Sequence, residues 1–326
     1  MLNDAPYSEL SPEAVLDAIE AAGHRCDGRV LALNSYENRV YQVGIEDGTP
    51  LVAKFYRPGR WSDAAIREEH AFAAELAAQE IPVVAPLLRD GVSMHVHRGF
   101  RYAVFPRRGG RWPELGTAED REWVGRFLGR IHGVGRAARF EARARLSIDE
   151  LGRKARDFVL EGDWMPDYLA DKYADVTDAL LEEVDVRADG WRGATLGRIL
   201  GDCHRGNILW TDQGPHFVDL DDCATGPAVQ DLWMLLAGGP QEMRTQLQDL
   251  LKGYEQFLPF DRAEIALIEP LRALRMIHYS AWLARRWHDP AFPRAFPWFA
   301  EPRYWEEHYR ALDDQLAVVT GPPLEL

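Results

Sequence analysis

Three polar side chains near the middle of the chain have the types and spacing that phosphoryl transfer needs. Asp202 and Asn207 are separated by four residues in GDCHRGNILW, and Asp219 lies in HFVDLDD shortly afterwards. Phosphoryl transfer requires a carboxylate that orients the attacking hydroxyl, together with oxygen ligands that hold Mg²⁺ against the nucleotide phosphates. We therefore predict that Asp202 is the catalytic base and that Asn207 and Asp219 bind the metal, Asp219 thereby acting in catalysis as well.

The context of this motif matters more than its spacing. A pair of the form D-x-x-x-x-N arises by chance in many chains, but this one lies between two strand-like segments and is followed by a further acid, as in kinases. The alternative is a loop in which the Asp and the Asn only cap turns. Two further acids, Asp221 and Asp222, either cap the next segment or lie near the metal through water.

The front of the chain supplies a candidate phosphate-binding lysine. Lys54 lies within the apolar strand LVAKFY, as the lysine does in the kinase V-A-I-K motif. The alternative is a solvated lysine that protects a sheet edge. Glu69, on the next predicted helix, is expected to pair with Lys54 and hold it on the phosphates. We prefer it to Glu68 because it leaves the apolar stripe of Phe72 and Leu76 facing the sheet.

No glycine-rich loop precedes this lysine. The first two predicted strands meet at residues 34–38, NSYEN. The polar side chains and backbone N–H groups of this NSYEN segment can cradle a phosphate. The alternative is an ordinary polar hairpin, which has the same composition.

The elements that must position these residues divide the chain in two. Ser11-Pro12 opens a helix that stops at Gly23; strands, a turn at 46–48, a helix over about 63–79 and two or three further strands follow. From about residue 118 the pattern is mainly helical, apart from a strand at 198–200 that we pair with HFVDLDD as a hairpin. We predict an α+β fold with a β-rich N-lobe (1–107), a helical C-lobe (108–326) and a ligand cleft between them.

Three histidines have alternative interpretations. His132 and His278 lie on helical stripes, where a histidine is usually a satisfied core residue. His204 either contacts the transferred phosphate or buttresses the loop, and we favour the buttress.

Composition limits the partners. The net charge of −14 is a poor footprint for nucleic acid, and no apolar run reaches the ~20 residues that span a bilayer. The N-terminus has no secretory pattern, so we expect a soluble cytoplasmic protein that contacts neither nucleic acid nor membrane. Cys26, Cys203 and Cys223 are too scattered for a disulfide framework, and we expect small buried thiols and no metal site there.

With these residues in place, the chain resembles the aminoglycoside phosphotransferase and choline kinase-like superfamily, and more closely the bacterial stress response kinase A family. The segments NSYENRVYQ, VAKFYRPGRW, GDCHRGNILW, FVDLDD, GPAVQDLWMLL, IEPLRALR and DPAFPRAFPW carry the resemblance. It implies a two-lobed kinase-like fold, a cytoplasmic location, use of ATP and Mg²⁺, and phosphorylation of protein Ser/Thr, including autophosphorylation, in a stress response.

The resemblance also assigns individual residues. It places the nucleotide-loop serine at Ser35, and it implies that Asp231 hydrogen-bonds to the catalytic loop and braces it. From the residues alone, Asp231 is equally a helix N-cap. One position departs from the superfamily pattern, because Leu200 stands where H-G-D-x-H has its first histidine. That histidine normally braces the loop, so its replacement by Leu200 is expected to make the loop less rigid and to lower the turnover rate.

Three functions follow, in order of preference. The first is a Ser/Thr protein kinase, expected to be a monomer; the second is a kinase of a small alcohol such as an aminoglycoside or choline; the third is an ATP-binding regulator without catalysis. The acceptor site is expected within residues 262–300, around Trp282, Arg285, Arg286 and Trp287. An apolar helix stripe with solvated arginines is the alternative interpretation of that region.

Overall fold

A five-stranded antiparallel sheet with a helix on each face forms the first third of the protein. The computed structural model describes residues 6–187, 191 and 193–326. The strand order in the sheet is β1-β2-β3-β5-β4. Its elements are α1 (Pro12–Ala21), β1 (Cys26–Ala32), β2 (Arg39–Ile45), β3 (Leu51–Phe55), α2 (Asp63–Ala78), β4 (His95–His97) and β5 (Phe100–Pro106).

The first helix begins as its sequence predicts. The Ser11 hydroxyl accepts a hydrogen bond from the N–H of Ala14, 3.2 Å away, and Pro12 occupies the first helical position. The serine hydroxyl pairs one of the free N–H groups of the first turn, and the proline removes another because it has no N–H. The buried face of α1, which includes Val15 and Ile19, then packs on one face of the sheet.

Strand β3 separates an apolar face from a charged one. Ala53 and Phe55 lie in the core between the sheet and α1. Successive side chains of a strand point to opposite faces, so Lys54 faces the other side, where α2 lies. The sequence of β3 therefore delivers one amine to the inner side of the sheet.

Two further strands, β4 and β5, follow α2, within the two or three that were predicted. Residues 83–88 form only an isolated bridge at Val83, and Pro86 among them lacks the N–H that a ladder needs. One expectation about α2 needs correction. Phe72 and Leu76 do not face the sheet. They join the core of the helical region, where Phe72 meets Phe140 edge to face, while Ile66 packs near the sheet.

The rest of the chain is mainly helical around one large core. A π-helical turn (Asp149–Arg153) precedes α4, and 3₁₀ turns occur at Arg205–Asn207, Leu220–Asp222, Arg262–Leu267 and Pro297–Ala300. Among the described residues, no helix is long and apolar enough to cross a membrane. The elements are α3 (Ala118–Arg136), α4 (Lys154–Leu160), α5 (Asp167–Val186), β6 (Gly197–Ile199), β7 (Ile208–Thr211), β8 (Gly214–Phe217), β9 (Ala224–Gly226), α6 (Val229–Trp233), α7 (Pro240–Tyr254), α8 (Ile268–Arg286), α9 (Ala291–Ala295) and α10 (Pro302–Thr320).

The pairing of the small strands differs from the sequence prediction. Strand β6, at the predicted position near 198–200, pairs with β9 and not with HFVDLDD. The hairpin partner of β8 is β7. Two antiparallel ladders therefore flank residues 200–207, the segment that contains Asp202 and Asn207.

Helices α3 and α7 touch through their backbones. A Cβ atom at Gly125 would lie 2.0 Å from the carbonyl oxygen of Leu250, and one at Gly129 would lie 2.5 Å from that of Tyr254. Only glycine permits this approach. By contrast, a Cβ at Gly133 of the same helix meets no atom within 4 Å.

Gly125→Ala should therefore destabilise the fold by about 1–3 kcal/mol, the usual cost of overpacking. Gly133→Ala is the matched control and should be neutral or stabilising by up to ~1 kcal/mol, because alanine has the higher helix propensity. Chemical unfolding of both variants measures the difference. Equal stability of the two would contradict the close contact between α3 and α7.

Candidate active site

Lys54 is the centre of a buried charge cluster that joins the sheet to the helical region. Its Nζ lies 3.1 Å from Glu69 Oε1, 3.0 Å from Asp219 Oδ1 and 3.1 Å from Asp221 Oδ1. The side chain is only 6% exposed. Burial alone would lower the pKa of Lys54, but the charges of Asp219 and Asp221 outweigh it and hold that pKa well above its ordinary value. The amine therefore stays charged.

Two arginines complete the charge balance. Arg60 contacts the carboxylates of Asp221 and Asp222. Arg143 lies 3.8 Å from Glu69 and donates to backbone carbonyls next to Asp221. Asp221, which the sequence placed at a cap or near the metal, is thus a structural partner of the lysine.

The two glutamates at the start of α2 have different tasks. Glu69 pairs with Lys54, as the sequence predicts. Glu68 instead accepts hydrogen bonds from the N–H groups of Glu141, Ala142 and Arg143, at 2.8–2.9 Å. The carboxylate of Glu68 thereby holds the loop that delivers Arg143 to the charge cluster.

Asp202 and Asn207 are brought together by the turn that contains them. The Asn207 side-chain N–H donates to the carbonyl oxygen of Asp202 over 3.0 Å. The N–H of Val218 donates to the backbone oxygen of Asn207 over 3.0 Å, which connects the turn to the residue preceding Asp219. All three predicted residues of the motif are therefore linked through the backbone at one place.

The carboxylate of Asp202 is held by two basic side chains. Arg275 Nη1 donates to Oδ1 over 2.8 Å, and His204 Nε2 lies 3.4 Å from Oδ2. Burial raises the pKa of Asp202, but the hydrogen bond to His204 and the charge of Arg275 outweigh it and lower the pKa to about 2. His204 Nδ1 also accepts from the N–H of Gly206, so this histidine buttresses the loop, as favoured.

The loop is braced from below by Asp231. Its two carboxylate oxygens accept the N–H groups of Leu200 and Gly201, each over 2.8 Å. His132 Nε2 lies 2.9 Å from the same carboxylate and its Nδ1 lies 3.0 Å from the Tyr254 hydroxyl. Asp231 lies inside α6, so it is not a helix N-cap. The Leu200 side chain packs in the core, while its backbone still takes part in the brace.

The backbone at Asp219 is in the left-handed region. Its φ and ψ angles are 57° and 74°, a conformation that a non-glycine residue adopts rarely and at a cost of order 1–3 kcal/mol. The side chain is 54% exposed although it touches the buried Lys54. Such strain is found most often at functional sites, and here it turns a carboxylate towards both the lysine and the solvent.

The loop at residues 34–38 is fastened to the helical region. Asn38 Nδ2 donates to Asp221 over 3.0 Å. Glu37 accepts a hydrogen bond from Trp282 Nε1 over 2.7 Å and two from Arg286, through Nε and Nη2, each over 3.0 Å. Glu37 and Arg286 thus form a bidentate ion pair. The Ser35 hydroxyl donates to the backbone oxygen of Asn38, so its hydrogen bond stays inside the loop.

A second carboxylate reinforces this closure. Asp289, which follows α8, binds Arg39 at 2.9 Å and Arg57 at 2.6 Å. Tyr36 of the loop packs on Phe296 with ring centroids 4.7 Å apart. Arginines of the sheet thus reach carboxylates and rings of the helical region on the outer side of the cleft.

The residues fit Mg²⁺ by their chemistry. Carboxylate and amide oxygens are the donors that Mg²⁺ prefers, and it commonly takes one or two protein ligands beside substrate phosphates and water. The amide nitrogen of Asn207 is engaged, which leaves its oxygen for a cation, and Asp219 is open to the solvent. Within the described ranges, no group of three or more His, Cys, Asp and Glu residues could by itself hold a metal.

Several functional contacts gave no local signal in the sequence. Arg60, Arg143 and Arg275 reach the site from segments far apart in the chain. Arg60 and Arg275 lie in segments that carry the family resemblance, but nothing in those segments names their partners. Glu37 was seen only as part of a polar loop. Trp282, proposed for the acceptor site, instead helps to hold that loop. All three cysteines are free thiols, and two are buried.

Arg286, also proposed for the acceptor, binds Glu37 as well. Arg285 donates to the carbonyl of Lys154 and lies over the ring of Phe158. Trp287 packs on Phe299. The region 262–300 is therefore neither an acceptor site throughout nor an apolar helix stripe with solvated arginines, because its side chains face different partners.

Known proteins share this sequence and fold. Stress response kinase A of Salmonella choleraesuis is 47% identical over 326 residues, which cover 99% of this chain and 98% of that protein. A protein of Salmonella typhimurium named serine/threonine protein kinase RdoA is 46% identical, with the same coverage. Amicoumacin kinase, solved with AMP-PNP and Ca²⁺, superposes with a TM-score of 0.68 over 92% of this chain and 93% of its own, at 19% identity. The predicted α+β, two-lobed kinase-like fold is therefore confirmed.

The sequence pattern of the Phosphotransferase enzyme family, APH, matches residues 29–268. This span includes β2 to β5 and most of β1, the charge cluster around Lys54 and the segment from Asp202 to Asp219. Together with the relatives matched over the full chain, it shows that the protein belongs to the APH phosphotransferase family.

Proposed function

We propose that the protein is an ATP- and Mg²⁺-dependent Ser/Thr protein kinase that also phosphorylates itself. One observation carries the proposal: Lys54 Nζ lies 3.1 Å from Glu69 of α2 and 3.0 Å from Asp219, and the residue before Asp219 hydrogen-bonds to the turn of Asp202 and Asn207. Phosphoryl transfer depends on positioning and electrostatics more than on covalent chemistry. These five side chains supply both.

The nucleotide would be held from two sides. Lys54, kept charged by its carboxylate partners, donates to the phosphates, and Glu69 keeps its amine in place. Asn207 and Asp219 would hold Mg²⁺, which neutralises the charge developing on the phosphate oxygens. The loop of Ser35 would cover the phosphates through its backbone N–H groups.

Asp202 receives the acceptor hydroxyl. The hydroxyl oxygen forms the new bond to the γ-phosphorus, the bond from that phosphorus to the ADP oxygen breaks, and the hydroxyl proton passes to the Asp202 carboxylate. With its pKa at about 2, Asp202 is ionised throughout the physiological range. It is a weak base, so its main contribution is to orient the hydroxyl for attack.

The acceptor class rests on the relatives. The name of the Salmonella typhimurium relative specifies a Ser/Thr protein kinase, and its 46% identity over the full chain favours the same acceptor here. The alternative is a small-alcohol kinase, because amicoumacin kinase has the same fold; at 19% identity that likeness concerns the fold alone. A nucleotide-binding regulator without transfer is the remaining candidate.

Further expectations belong to the same proposal. We place the division between the lobes at residues 107/108, directly after β5 ends at Pro106. We also propose that the protein acts as a cytoplasmic monomer in a stress response, as the resemblance implies.

The Asp202→Asn variant should lose phosphoryl transfer by about 10²–10⁴-fold, the usual contribution of a positioned acid–base group. The measurement is transfer of label from γ-³²P-ATP with Mg²⁺ to the protein itself and to a generic protein acceptor. Asp212→Asn is the control, because Asp212 is an exposed acid in the β7–β8 turn. Its transfer rate should match that of the unaltered protein.

The same assay separates the candidate functions. Undiminished transfer by Asp202→Asn would contradict its assignment. No label on protein, with ATP consumed only when a small alcohol is supplied, would establish the small-molecule kinase. No transfer to any acceptor would favour the regulator.

The Asp219→Asn variant should weaken Mg²⁺-dependent binding of a non-hydrolysable ATP analogue by at least tenfold, because it removes a charged ligand of the metal. Calorimetric titration with and without Mg²⁺ measures the effect. Asp202→Asn is the reference here, since it should bind the analogue normally. If Mg²⁺ strengthens binding equally in both variants, Asp219 is not a metal ligand.

A further inference from the structure

One face of α8 lines the cleft from the catalytic loop to the nucleotide loop. Arg275, Tyr279, Trp282 and Arg286 follow one another at spacings of four, three and four residues, which places them on the same side of a helix. At one end Arg275 binds Asp202, and at the other Trp282 and Arg286 bind Glu37. An acceptor that reaches Asp202 must therefore lie against this face.

Arg275 has capacity left for a ligand. Only its Nη1 donates a hydrogen bond among the described residues, to Asp202 Oδ1, and its side chain is 44% exposed. A guanidinium group carries five N–H donors in a planar fork that matches a carboxylate. An acceptor hydroxyl oriented by Asp202 would lie at hydrogen-bond distance from that carboxylate, and hence beside the free edge of Arg275.

The carboxylates of the cleft wall are already neutralised. Glu37 is paired with Arg57 at 3.0 Å and with Arg286, and Asp289 is paired with Arg39 and Arg57. A cationic acceptor would find no spare carboxylate among them. Nearer to Asp202, Asp219 is paired with Lys54 and Asp222 with Arg60, whereas Arg275 keeps N–H donors without a partner among the described residues.

The electrostatic potential along α8 is also positive. Burial and then the positive charges of Arg285 and Arg286 lower the pKa of His278 to about 4, and Arg275 acts in the same direction. Next to Arg275, Tyr279 is 37% exposed and stacks on Trp282 with ring centroids 5.6 Å apart. A flat aromatic surface beside an arginine suits an extended peptide with a carboxylate.

We propose that Arg275 selects hydroxyl acceptors that carry a carboxylate beside the hydroxyl, namely Ser or Thr next to Asp or Glu in a peptide lying over Tyr279. The inference rests on the proposed function and adds the substrate class. A carboxylate gains a charge-assisted, bidentate partner. An ammonium group at the same position meets a like charge, which selects against polycationic alcohols as well as basic peptides.

Three peptides that differ only in the residue next to a single serine, Asp, Asn or Lys, test the proposal. The kcat/KM should fall in that order, by roughly three- to tenfold per step, as expected for a charged hydrogen bond that is partly exposed. Arg275→Gln should remove the difference between the Asp and Lys peptides, and Arg275→Glu should reverse it. Arg285→Gln is the control, because Arg285 contacts α4 and should leave the order unchanged.

The outcomes distinguish the proposed role of Arg275 from the proposed protein kinase activity on which it rests. Transfer to all three peptides at equal kcat/KM, or a preference retained in Arg275→Gln, would refute the role of Arg275 and leave the protein kinase intact. ATP consumption with aminoglycoside or choline, and with no peptide, would overturn both. Because the comparison of peptides needs only the unaltered protein, poor folding of a variant does not prevent a decision.

Discussion

The buried ammonium group of Lys54 is the constraint on which the rest of the site depends. A charge in the protein interior is tolerated only when it is paired and hydrogen-bonded. One of its partners, Glu69, comes from the adjacent helix, whereas Asp219 and Asp221 come from the turn after β8. The sheet and the helical region must therefore meet at this point. The same contacts that stabilise the lysine bring the proposed phosphate-binding and metal-binding groups together.

The remaining contacts between the two regions prevent this junction from drifting. Phe72 and Leu76 of α2 are buried in the core of the helical region, so the helix that carries Glu69 is anchored on both sides. On the outer side, Glu37 and Asp289 accept arginines from the opposite region. The loop at residues 34–38 has no glycine, so its backbone lacks the conformational freedom of a glycine-rich loop. Ion pairs instead hold the loop in one position beside the helical region.

The sequence predicted those parts of the site whose chemistry is encoded locally. Asp202, Asn207 and Asp219 could be singled out as candidates because a turn and a short hairpin fix their spacing, and Lys54 because a charge interrupts an apolar strand. The pairing of β6 was predicted wrongly, since strands of three or four residues are too short for periodicity to identify a partner. Arg143 and Arg275 were missed for a different reason. Their partners are 74 and 73 residues away, by the numbering of Glu69 and Asp202, and only the tertiary fold brings them together.

The overall charge of the protein says little about the charge of its cleft. The chain carries a net −14, which by itself favours cationic ligands. Around the nucleotide loop, however, arginines already occupy Glu37 and Asp289, and next to Asp202 the nearest charged side chain is Arg275 at 2.8 Å. At such short range a single partly desolvated charge outweighs distant surface charges, which water and salt screen within about 10 Å. Acceptor choice, as we propose it for this protein, depends on the few side chains on one face of α8 and is separate from the residues proposed to handle the phosphate.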